Sequence, residues 1–387
     1  MKTKSTIILN ILNVLPRFFL LSLVVSMAIG EEVTYLMRST RALLSGDAYT
    51  AVADDAYTLF YNPAALGRNG LAGIGLYPIN PSIGLTNPLA HLDSFTSLPD
   101  TPEGMVESAM GIPLYLHVGA APALKFGPFA LGFFYNLHLN MMTQNATHPT
   151  MAIDYHQDRG FIMGYAHSFG TGGVRQKDGS RTTGHRTSVG VAVKKLNRQA
   201  LQEDFPVFGP KLYNAIMNGE GGITNIRENL GYSKGEAWGW DAGVEHVISA
   251  NWYQLAGAIS LLDISDTEFK VTEGTEVPSL PMIMSAGVSW KQNFKIIDYT
   301  LSLDVRPILQ TMDLMRKVHI GLDIGLPLLR CFGGVSEGYL SYGVSIKVWP
   351  VTIMLGLYGV EVGTNYGEED ASRAVIYISL LDFSFKG

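Results

Sequence analysis

A single cysteine, Cys331, stands among the 387 residues, so an intrachain disulfide is excluded and no lipid-attachment thiol follows the N-terminal leader. A domain of this size folds without disulfides, and Cys331 reads as a small packed side chain. Charge is also scarce. Asp, Glu, Lys and Arg make up 16% of the chain, where soluble domains carry about 25%. The 28 basic residues are outnumbered by 34 acidic ones, which leaves no basic footprint and excludes nucleic acid as a partner. After residue 30 no apolar run reaches the ~18–20 residues of a helical membrane span. Disorder is excluded too, because 47% of residues are hydrophobic and the net charge is only −6. What is abundant is glycine, 42 residues, and aromatic side chains, 10%. The composition is that of one large all-β domain.

Residues 1–30 read as an export signal. Lys2, Lys4 and Arg17 supply positive charge, Phe18 to Met27 form a short apolar core, and Ala28-Ile29-Gly30 offers small residues to a peptidase, placing cleavage before Glu31. An uncleaved anchor helix is the alternative. Taking three cations from 28 leaves 25 against 34 acids, a mature net charge of −9.

From about residue 69 onward, period-two stretches recur between Gly, Pro, Asn and Asp. Leu301, Leu303 and Val305 alternate with Ser302, Asp304 and Arg306; Ile320, Leu322 and Ile324 alternate with Gly321, Asp323 and Gly325. Each is a strand with two unlike faces. A soluble sandwich gives the same alternation, so other features must decide. Many segments run about 9–12 residues, the length of a tilted membrane strand, whereas soluble strands average about 5–6. Aromatics gather at segment ends, as in Trp238/Trp240, Trp252/Tyr253, Trp290 and Trp349, where an interfacial girdle belongs. The last segment closes on Leu381, Phe383 and Phe385, almost at the C-terminus. These features point to a transmembrane antiparallel β-barrel with its greasy face toward outer-membrane lipid. Its strands must pair all the way round, since an open edge in lipid leaves backbone groups unsatisfied.

Strands are expected near 69–78, 111–121, 128–140, 150–168, 185–196, 238–248, 252–263, 281–291, 295–306, 316–326, 328–337, 339–348, 351–362 and 373–385, about 14 in all. The links at 79–110, 197–237 and 264–280 would be extracellular loops, and 169–184 an unusually long periplasmic turn.

Residues 31–68 do not read as a strand. Small residues dominate, Asp47, Asp54 and Asp55 stand near expected helix starts, and Asn62-Pro63 is a turn signal that would end a short helix. Such a segment suits a lumen plug, with the barrel running over 69–387. The run Gly46-Asp47-Ala48, Ala53-Asp54-Asp55-Ala56 and Asn62-Pro63-Ala64-Ala65-Leu66 resembles the N-terminal hatch of FadL-type outer-membrane transport proteins, in particular the PorV/PorQ-like branch and its spirochaete relatives. Val318 to Asp323, Gly333-Gly334, Gly338 to Leu340 and Tyr358 to Gly363 are similar to the last strands of that branch. The resemblance implies a fourteen-stranded barrel in the outer membrane of a diderm bacterium, inserted by the barrel-assembly machinery. It also implies passive uptake of hydrophobic molecules such as long-chain fatty acids, gated by the hatch. The alternative function in that branch is a component or shuttle of a protein secretion system.

For catalysis the sequence offers little. Asp154, Asp158, Asp241, Glu245, Asp298, Asp304 and Asp323 read as lumen-lining acids paired with cations such as Arg306 and Lys347. His117, His138, His156 and His319 recur at spacings that recommend no metal site. No Gly-x-Ser-x-Gly elbow is present, and neither an enzyme nor a cofactor is expected. For an apolar ligand the expected contacts are Phe134, Phe205, Phe208, Leu212 and Ile216, the last two on a short amphipathic helix in the 197–237 loop.

Overall fold

The alternation becomes one closed antiparallel sheet in the computed structural model, which describes residues 33–88, 113–144, 147–170, 172–173, 181–207, 231–294, 296–363 and 365–385. The 1–30 leader lies outside them. In chain order the strands are β1, in two pieces (Ile74–Tyr77 and Pro81–Thr86); β2, also in two (Leu114–Ala120 and Ala123–Phe126); β3 (Phe129–Gln144); β4 (Thr150–Gly170); β5 (Arg181–Pro206); and β6 (Ser233–Asn251). The circuit continues through β7 (Tyr253–Leu262, with Lys270–Glu273), β8 (Ile283–Asn293), β9 (Asp298–Val305), β10 (Val318–Gly325) and β11 (Leu329–Ser336). It ends with β12 (Tyr339–Val348), β13 (Val351–Glu361) and β14 (Asp370–Leu380, with Phe383–Phe385). Each pairs with its sequence neighbour, and β14 returns to β1 through Tyr377↔Ser82 and Phe385↔Ile74. The fourteen-strand count holds, and 150–170 is one long strand.

Facing direction separates this barrel from a sandwich. Along β3, Phe133 is 57% exposed on the outer wall while its neighbour Phe134, pointing inward, is 4% exposed. On β9 and β10, Leu301, Leu303, Ile320 and Leu322 face out, whereas Ser302, Asp304, His319 and Asp323 are buried inside. A greasy exterior around a polar, filled interior is stable only with lipid outside. The fold is a fourteen-stranded membrane barrel.

Several expected boundaries move. Residues 81–86, 197–206 and 233–237, expected in loops, are strand, and the expected long turn at 169–184 shortens to the link between Gly170 and Arg181. The cause is length: β4 has 21 residues and β5 has 26, against the about 9–11 that cross the hydrocarbon. Above the membrane the sheet continues, but water no longer requires an apolar outer face, so the alternation that marks a strand fades. Ile153, Tyr155, Leu201 and Phe205 form a separate apolar cluster on this extension. The long connections lie at this end, which is therefore the extracellular one.

Three neighbouring strands are interrupted at one level. β1 breaks at Pro78, which has no N–H to give; β2 breaks before Ala123; β14 breaks at Leu381 and Asp382. There β1 and β14 are joined by the Ile79↔Leu380 bridge and by Ser379 Oγ, which donates to Ile79 O at 3.3 Å. Between β1 and β2 the Asn80 side chain replaces the missing ladder, donating to Ala121 O and accepting from Ala121 N, both at 2.8 Å.

Candidate functional site

Residues 33–69 form short helical pieces: an α-helix, α1 (Thr40–Leu44), and 3-10 turns at Thr58–Phe60 and Pro63–Asn69. The acids do not start helices as expected. The first turn of α1 contains no acid; Asp47 follows the helix with φ 56°, and Asp55 accepts from Tyr57 N at 2.9 Å in a side-chain turn. Asn62-Pro63 opens a helix as well as following one: Asn62 Oδ1 accepts from Ala64 N at 3.0 Å, with Pro63 in the first helical position.

The segment touches inward positions around the wall. Wall glycines make room for it. A Cβ at Gly343 or Gly356 would strike Leu44; at Gly334 or Gly321 it would strike Ser45; at Gly243 or Gly190 it would strike Asn62 or Pro63-Ala64; and at Gly164 it would strike Leu59. Leu44, Tyr49, Leu59 and Leu66 are buried in the resulting core, each worth about 1.5–3 kcal/mol of burial.

Ion pairs tie the segment to the wall at separate points. Asp47 accepts from Arg38 at 2.7 Å and from Tyr61 OH at 3.0 Å, and it pairs with Arg306 at the end of β9. Arg41 grips Asp323 on β10 at 2.7 Å and Asp54 at 2.8 Å. Asp304 on β9 accepts from the backbone N–H groups of Tyr49 and Thr50, both at 2.7 Å. Arg68 clasps Glu245 on β6, with Nε to Oε1 at 2.9 Å, and Lys125 donates to Asp54 O at 3.0 Å. Burial pushes the Asp47 carboxyl up, but Arg306 and Arg38 outweigh it and hold the group below the ordinary carboxylate value. Burial drives the Tyr35 phenol up to about 12 and Tyr49 well above its usual value, so both remain protonated.

Gly46, Asp47, Asp54, Asp55, Asn62, Pro63 and Ala64, the residues expected in a hatch, lie in one stretch of short helical pieces packed against the wall. The expected ligand contacts are not brought together. Phe134 stacks edge-to-face on Phe60 at 5.6 Å, Phe205 belongs to the outer cluster on β5, and Phe208, Leu212 and Ile216 lie outside the described residues. Of the inward acids, Asp158 pairs with Arg198 and Asp241 with Lys194 within the wall, while Glu245, Asp304 and Asp323 reach the segment. Lys347 shares the inward face of β12 with Ser345 and pairs with Thr352, but it is exposed near the strand end. Sequence reasoning passed over Arg38, Arg41 and Arg68; the signal was three cations in a run of small residues, opposite a lumen lined with acids.

A cavity of about 910 Å³ lies between the segment and the periplasmic ends of the strands. Its walls carry Arg41, Arg68, Arg186 and Lys291, with Asp54 as the carboxylate among its lining residues. On the outer side, the space beside Tyr35, Met37, His117 and Tyr358 is only about 30 Å³, on the scale of a water molecule.

No protein-family model and no curated protein matches the sequence. Among solved structures, the chain is similar to the toluene transporter TodX of Pseudomonas putida, with 10% identity over 90% of this chain and 99% of that one at a TM-score of 0.42. A TodX deltaS2 mutant, described as a monoaromatic hydrocarbon channel, gives 11% identity over 89% and 99% at 0.43. The CymD monoaromatic hydrocarbon channel gives 12% over 93% and 98% at 0.36. The overlaps are loose, and the architecture stands on the strand pairing itself.

Proposed function

We propose that the chain is a FadL-type outer-membrane channel for passive uptake of hydrophobic molecules, with residues 33–69 as its hatch. What supports this reading is that residues 33–69 pack against inward wall positions through separable ion pairs, beside a wall break with aromatic backing. An open diffusion pore needs an unobstructed lumen, whereas the apolar and charged contacts of residues 33–69 occupy this one beside the cavity of about 910 Å³. Behind the break in β1, β2 and β14 stand Tyr57, Tyr77, Ala121 and Tyr377 in one buried cluster, a dry surface along which an apolar solute would reach the bilayer without crossing water. The cations on the walls of the periplasmic cavity are held by carboxylates, Arg41 by Asp323 and Asp54 and Arg68 and Arg186 by Glu245, so the reading rests on the apolar surface beside the break and extends to hydrophobic molecules as a class.

Mass spectrometry of ligand co-purifying with the detergent-extracted chain, together with fatty-acid uptake in a knockout strain, tests the proposal. An apolar ligand and reduced uptake support it. Recovery of exported proteins in place of lipid, with uptake unchanged, overturns it in favour of the secretion role.

A further inference from the structure

We propose that His138, Asp154 and His156 form a binding site for one divalent transition-metal ion of the zinc class at the outer mouth of the lumen. The β3–β4 hairpin sets His138 directly opposite His156. Both imidazoles therefore leave the same face, with ring centroids 4.5 Å apart and planes within 13°. Asp154, two residues before His156, points the same way. Its Oδ2 is 3.9 Å from His138 Nε2, and its Oδ1 is 3.7 Å from His156 Nδ1. One ligand atom from each of the three lies within 4.8 Å of the others.

These separations are longer than hydrogen bonds and only a few tenths of an ångström longer than the about 3.4 Å between ligand atoms on a tetrahedral zinc with bonds near 2.1 Å. The two rings are stacked nearly parallel, so binding also requires one imidazole to turn out of the stack, bringing both nitrogen lone pairs onto one ion. Two imidazoles and one carboxylate select a zinc-type ion over calcium or magnesium, which take oxygen shells. The site is built as well as grouped. His156 is 4% exposed; its Nδ1 is the atom that faces Asp154, and its Nε2 is buried without a hydrogen-bond partner, so both nitrogens of the ring are open to an ion. The neighbouring carboxylate, Asp158, is paired with Arg198 at 2.7 Å, and the Asp154 side chain is 37% exposed, so solvent reaches the site. His117 is the register partner of His138 on β2, but its Nε2 lies 3.4 Å from Ser82 Oγ. The ion would clamp the hairpin beside the hatch, because Asn136, two residues from His138, donates to Leu36 O at 2.9 Å.

Titration of the full chain in detergent with Co²⁺, followed by its visible absorption and by Zn²⁺ competition, tests the site. One Co²⁺ per chain with a tetrahedral spectrum, displaced by Zn²⁺, is expected. Affinity should fall by about 100-fold or more in His156→Ala and in the more exposed Asp154→Asn, since even outer-shell losses cost about 10–100-fold. His246→Ala, on the exposed face of β6, should bind as the unaltered chain does. Heat-modifiable migration on gels shows that each variant has closed its barrel. Absence of saturable binding to the unaltered chain, or equal binding by a correctly closed Asp154→Asn or His156→Ala, overturns the proposal.

Discussion

Asp47→Asn is the sharpest test of how the lumen segment is held. The carboxylate is fully buried between Arg38 and Arg306, and the substitution preserves its volume and leaves an oxygen for Tyr61. What disappears is the charge facing two guanidiniums, one of them 2% exposed. Removing one partner of a buried pair costs about 3–5 kcal/mol. At about 1.4 kcal/mol per decade, the ratio of docked to released segment should fall by about a hundred- to a few-thousand-fold. Two readouts follow release: trypsin cleavage at Arg38 and Arg41 in the folded barrel, and conductance of the chain in planar bilayers. Both should rise in Asp47→Asn while heat-modifiable migration stays normal. Acidity should act through the same group. The folded value of Asp47 lies below the ordinary 3.8, so its contribution is complete above that value and is lost as the pH falls through the depressed one. Conductance should therefore stay flat from pH 7 to about 5 and climb only in stronger acid. A closed Asp47→Asn barrel with unchanged cleavage and conductance would refute the clamp.

Gly343→Leu should displace α1 without touching an ion pair, because its Cβ would stand 2.5 Å from Leu44 Cδ1; faster trypsin cleavage at Arg41 checks this, and an unchanged rate counts against close packing there. Asn80→Ala removes both bonds to Ala121, at about 1–3 kcal/mol for the groups left unpaired. It should widen the wall break and speed entry of an apolar dye into proteoliposomes; an identical rate would argue that the break is no exit. Glu361 accepts from Gly363 N at 2.9 Å, Gly367 N at 2.6 Å, Glu369 N at 2.8 Å and Tyr339 OH at 2.6 Å. Glu361→Ala should therefore raise amide exchange across the 362–369 loop about 10-fold or more, and retained protection would show that the carboxylate does not organise it.

The wall was legible in the sequence wherever lipid imposes a rule. Leu301 and Leu303 must face outward and Ser302 and Asp304 inward, so period two appears and the strand count follows. The rule lapses above the membrane, which is why residues 197–206 and 233–237 carried no strand signal although they pair as regularly as the rest. The His138–His156 pairing was hidden for a related reason: spacing along the chain says nothing until the hairpin's register, Gln144 opposite Thr150, is known. Least legible was the fastening of residues 33–69. Arg41 meets Asp323 across 282 residues and Arg68 meets Glu245 across 177, and only closure of the circuit brings those acids to face those arginines. That pairing also resolves a difficulty in the functional reading. A lumen rich in carboxylates looks unsuited to apolar cargo, yet Asp304, Asp323 and Glu245 engage the segment rather than a solute. Under the proposed function the charge belongs to the fastening of residues 33–69, and the surface offered to an apolar molecule is the aromatic cluster beside the break.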